Sequence, residues 1–110
     1  MISESALVKT LWQALGGAPG DAQALEFTGA AGGLPSKFEV SAFACATIGV
    51  ATLAAAELWA KRRGETLRRV TVGRRLAAAA FRCERLVKPE GWTLPGAWDP
   101  IAGDYRAADG

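Results

Sequence analysis

From Ala42 to Ala56 fifteen residues pass without a charge, seven of them alanine, and this run restricts the fold more than any other stretch. Ser41 offers a hydroxyl acceptor for the free N–H groups of a first helical turn. Lys61, Arg62 and Arg63 fall where a helix dipole is negative, and Gly64 can adopt the left-handed conformation that ends a helix. Start, body and stop signals agree, so one helix is expected from Ser41 to Gly64. Ala42, Ala46 and Val50 follow at four-residue steps, as do Cys45, Gly49 and Leu53, and narrow side chains nearly all round let neighbours approach on several sides. A membrane span needs about 18 to 20 strongly apolar residues. Glu57 interrupts the run before that length is reached, so a buried helix at the centre of a core is expected.

The rest of the chain is read around that pillar. Leu7, Val8, Leu11, Trp12 and Leu15 form one helical stripe, with Ser3 or Ser5 as the cap and Gly16-Gly17 as the stop. Trp12 is expected to anchor this helix to the core. Ala24 to Thr28 alternates as a short strand, and Leu67 to Val72 reads as a second. Arg74 to Leu86 is expected to be a helix that buries Leu76, Ala77, Ala80, Phe81, Cys83 and Leu86. Helix, strand and helix with short connections indicate part of an α/β layer. The Gly29-Ala-Ala-Gly-Gly33 run lacks the lysine of a phosphate loop and leads into Leu34-Pro35-Ser36 instead of a helix start, so it is read as a connector.

Beyond Pro89 the texture changes. Pro89, Pro95 and Pro100 with Gly91, Gly96 and Gly103 exclude regular structure, and Trp92 and Trp98 are expected to pin an ordered loop. Tyr105 to Ala107 is a strand signal, and Asp109-Gly110 is a hairpin turn signal that leads to no second strand. The chain therefore reads as one partial domain: residues 1–33 as a helix and Gly-rich connector, 34–88 as a helix–strand–helix core, 89–110 as a Pro/Gly/Trp loop and the start of a hairpin.

The net charge of +2 conceals a local excess. Residues 61–88 hold ten of the thirteen Lys and Arg residues against only Glu65 and Glu84. With no histidine and no paired-cysteine motif, a zinc site cannot be assembled by the usual spacing. Cys45 and Cys83 both fall in apolar helical runs and are expected to be buried thiols in a reducing compartment. Met1 leads into a polar, acidic segment unlike a signal peptide, which points to the cytoplasm.

One ordering of these features is familiar. An Ala-rich helix ending in Glu-Leu-Trp-Ala-Lys-Arg-Arg-Gly, a strand Arg-Val-Thr-Val, a second Ala-rich helix and the tail from Gly91 to Arg106 closing on Asp-Tyr-Arg-Ala-Ala-Asp-Gly resemble the class III CoA-transferases, the CaiB/BaiF family. The similarity covers about residues 34–110, and its tail is the distinctive part. It implies an α/β fold with a Rossmann-related core, an N-terminal fragment of a longer member, and an intertwined dimer. It also implies coenzyme A as substrate, moved from an acyl-CoA to a carboxylic acid through one nucleophilic aspartate with N–H donors for the oxyanion. That aspartate has no counterpart here. Asp21, Glu26 and Glu39 lie in no such motif, Thr71 and Gly73 stand where the family's strand commonly carries an aspartate, and Asp99, Asp104 and Asp109 sit in turns. No catalytic residue is carried over, and the isolated chain is expected to be inactive. Arg62, Arg63, Arg68 and Arg69 are candidates for the CoA phosphates, since guanidinium forks match phosphate oxygens. A different class of function, a small basic module binding nucleic acid or another polyanion through residues 61–88, is weakened because only Phe81 interleaves with the arginines.

Overall fold

The computed structural model describes residues 2–93, 96 and 99–108. Helix α1 spans Glu4–Ala14, strand β1 Leu25–Thr28, helix α2 Val40–Arg63, strand β2 Val70–Gly73 and helix α3 Arg74–Ala80, with 3-10 turns at Asp21–Ala24 and Cys83–Arg85. β1 and β2 pair in parallel, with Leu25 opposite Val70 and Thr28 opposite Gly73. Parallel neighbours need a long crossover, and α2 supplies it. The unit is thus a β-α-β layer, a small α/β arrangement.

α2 ends as its sequence dictates. Gly64 takes φ 65° and donates to the Lys61 carbonyl, while Glu65 donates to Ala60 at 2.9 Å. Its start differs from expectation. The cap position is Glu39, which contributes no side-chain bond, and Ser41 lies inside the first turn with its hydroxyl accepting from the Leu34 amide at 3.1 Å. The loop amide competes for the oxygen and wins.

One side of α2 carries the core. Ala46, Val50 and Leu53 meet Val8, Trp12 and Val70, while Cys45 meets Val72 and Ala77. At Gly49 a Cβ would lie 2.7 Å from the Phe27 ring and 2.8 Å from Leu25 Cδ2, so the missing side chain is what lets helix and strand touch. The other side is not enclosed as the small residues suggested: Ala51, Ala55, Leu58 and Trp59 are exposed. Two strands and two short helices cover only half of a helix this long. Among the described residues α2 is the one helix long and apolar enough to cross a membrane, with mean hydropathy 1.6 over its most apolar window.

α1 forms where its stripe predicts. Ser3 caps it, accepting from the Ala6 amide at 3.2 Å, and Trp12 is 2% exposed with its indole N–H donating to Ala18 at 2.9 Å. Leu15, at the end of the stripe, is exposed.

β2 begins three residues later than its apolar run, because Leu67 packs on the core without joining the ladder. α3 stops at Ala80, six residues short of expectation. Ala77 and Ala78 are buried, but Leu76 is 71% exposed, and Phe81, Cys83 and Leu86 are exposed as well. A short helix persists only where a partner holds it: Phe81 still meets the Phe43 ring edge to face, but among the described residues none from Cys83 onward is buried. In the tail no strand forms at Tyr105 to Ala107, and Trp92 is exposed instead of pinning the loop. Trp98, Asp109 and Gly110 lie outside the described residues.

Candidate functional site

Both strands run towards the same edge, and their carboxyl ends open onto two clefts. In open parallel sheets this edge is where loops diverge and leave room for a ligand. Past Thr28 the chain enters Gly29, Gly32 and Gly33 at φ 84°, 90° and 116°, angles that L side chains rarely adopt. Past Gly73 it turns directly into α3.

The larger cleft, about 980 Å³, lies between α1, the Ala31–Glu39 loop and the start of α2, with Trp12, Leu34, Lys37 and Phe38 in its walls. The smaller, about 740 Å³, lies between the Gly29–Leu34 loop and the side of α3, with Arg75, Arg82 and Arg85 along it. Ala31, Gly32 and Leu34 line both, so the loop is a shared partition.

Arg74 holds this edge together. Its Nε donates to both Glu4 oxygens at 3.0 Å, and Nη2 lies 3.0 Å from Oε2. Its Nη1 donates to the carbonyls of Gly29 at 2.7 Å and Phe27 at 3.3 Å. One guanidinium therefore joins the first turn of α1 to the end of β1 and the root of the glycine loop. The Glu4 carboxylate holds the Arg74 pKa above its ordinary value. Beside the pair, Cys45 is 1% exposed, and burial, reinforced by Glu4, pushes its thiol up to about 11. A thiol so disposed stays protonated and is no nucleophile at neutral pH.

The four arginines singled out in the sequence lie at the opposite, amino edge of the strands. Arg63 donates to Glu65 at 3.0 Å, Arg68 lies 3.6 Å from the same carboxylate and Arg69 lies 3.3 Å from Glu26. Arg62 is exposed at the end of α2. None of the four lines either cleft. Arg75, Arg82 and Arg85 do line a cleft, and the sequence did not single them out. Arg75, Ala78 and Ala79 share one face of α3, but Arg82 and Arg85 follow after the helix has ended, so helical spacing in the sequence does not mark the three together.

Carboxylates behave as turn and pairing groups. Asp99 accepts from the Ile101 amide at 3.0 Å, Asp104 is exposed, and Asp21 opens a 3-10 turn. Among the described residues no three His, Cys, Asp or Glu side chains gather as a metal site. Comparisons with family models, curated proteins and solved structures found no match to this chain.

Proposed function

We propose that the chain is an α/β unit of the CaiB/BaiF CoA-transferase type, one that holds coenzyme A and leaves the nucleophile to another segment. The observation that carries this reading is the pair of ligand-sized clefts at the carboxyl edge of a parallel β-α-β layer, one of them walled by arginines. The resemblance of residues 34–110 supplies the identity of the ligand. A role in binding instead of attack agrees with the carboxylates: Glu4 is locked on Arg74, and no described aspartate is buried. The substrates of the complete reaction would be an acyl-CoA and a carboxylic acid, with a dimer in the cytoplasm as the family's setting.

Calorimetric titration with CoA, paired with a thioester-exchange assay using acetyl-, succinyl- and formyl-CoA, tests the reading. Saturable CoA binding without exchange is expected. Absence of CoA binding at millimolar ligand removes the reading, and robust exchange by this chain removes the division of labour.

A further inference from the structure

The geometry points to a diphosphate-binding site between the backbone of Gly29–Leu34 and the guanidinium groups of Arg75, Arg82 and Arg85. The cleft there holds about 740 Å³ and is lined by three cations and no carboxylate. Among the described residues Arg75 and Arg82 have no acidic partner within salt-bridge distance, and Arg85 meets only Glu84 at 3.8 Å. At the amino edge Arg63, Arg68 and Arg69 each meet a carboxylate and, among the described residues, Arg62 meets none, whereas here three arginines share one cleft whose lining holds no carboxylate. Like charges along one cleft raise its local positive potential, and a polyanion bound there lowers it.

The facing wall is the backbone of Gly29 to Leu34, exposed as far as Gly33. Among the described residues the amides of Ala30, Ala31, Gly32 and Gly33 have no partner within the chain, whereas the next amide, Leu34, is satisfied by Ser41. A peptide wall with uncommitted amides can add neutral donors to a phosphate held by guanidinium groups. Small side chains bring the walls together: a Cβ on Gly33 would lie 3.6 Å from that of Ala78. Charge thus comes from across the cleft and not from a helix following the loop, which answers the absence of a phosphate-loop lysine in the sequence. Three guanidinium forks alone carry more donors than one phosphate can accept, which favours a diphosphate or its ester.

The site rests partly on the CoA reading for its natural ligand, and two probes separate them. Pyrophosphate, inorganic phosphate and CoA are titrated into the full chain, into R75S/R82S and into R106S as a control in the tail. All three substituted side chains are exposed, and circular dichroism verifies folding. We expect pyrophosphate to bind more tightly than phosphate and to lose at least about tenfold in R75S/R82S. R106S is expected to match the parent. Raised salt should weaken parent binding. Pyrophosphate binding without CoA binding supports the site and defeats the transferase reading. Failure of the parent to bind pyrophosphate, or equal pyrophosphate binding by parent and R75S/R82S, overturns the site and leaves the transferase reading to the CoA titration.

Discussion

Cys45 shows how one side chain reports its surroundings. Burial, then the Glu4 carboxylate, raise its pKa from 9.0 to about 11. The folded state thus holds this proton more tightly than the unfolded chain does. The resulting stabilisation is complete below pH 9 and is lost as pH rises through 11. Urea midpoints of the parent measured against Cys45→Ala across pH 8 to 11 should therefore converge, the parent losing on the order of 1 to 2 kcal/mol more than the variant. Parallel pH curves would contradict the buried placement. Trp12 was legible in the sequence because four apolar neighbours share its stripe. Ser41 was not, since a hydroxyl fit to cap a helix serves equally well as acceptor for a loop amide seven residues earlier. Cys83 was misread because apolar neighbours in sequence cannot tell whether a second layer lies above them.

At the scale of elements, α1 is fastened at both ends: Trp12 in the core and Glu4 on Arg74. The pair is mostly shielded from water, with side-chain exposures of 17% and 23%, so it should be stronger than an exposed ion pair. Glu4→Gln is expected to cost about 1 to 2 kcal/mol, above the range of open surface pairs. Arg74→Lys should cost at least as much, because a single ammonium cannot reach one carboxylate and two carbonyls together. Thermal denaturation measures both, and a change below about 0.3 kcal/mol in Glu4→Gln would deny the latch its role. A helix, a strand and a helix in succession could be read from the long uncharged run and the apolar run after it, but the parallel pairing of Leu25–Thr28 with Val70–Gly73 across α2 could not, because nothing local to either run names its partner. The extent of α3 could not, since periodicity describes a face and is silent on whether anything meets it. Arg74 was equally hidden: its partners Glu4, Phe27 and Gly29 lie at least 45 residues away in sequence.

Taken whole, the molecule is looser than its length suggests, with a radius of gyration of 18.5 Å against about 13 Å for a compact chain of this size. The excess comes from the tail: no described residue from Cys83 to Ala108 is buried. A chain ending at Lys88 should accordingly melt within about 2 °C of the parent, a shift worth well under 1 kcal/mol. A drop of 10 °C would place the tail in the core. The sheet also has a wet side, since Glu26, Thr28 and Thr71 are exposed, so the architecture is two layers and not the three of a doubly wound fold. One further consequence concerns the two sulfurs. Cys45 is sealed inside and Cys83 faces solvent, in sequence between two of the arginines that edge the smaller cleft. A maleimide dye added to the native polypeptide would settle at that outer position alone, making the molecule its own optical gauge of anion arrival with no residue replaced.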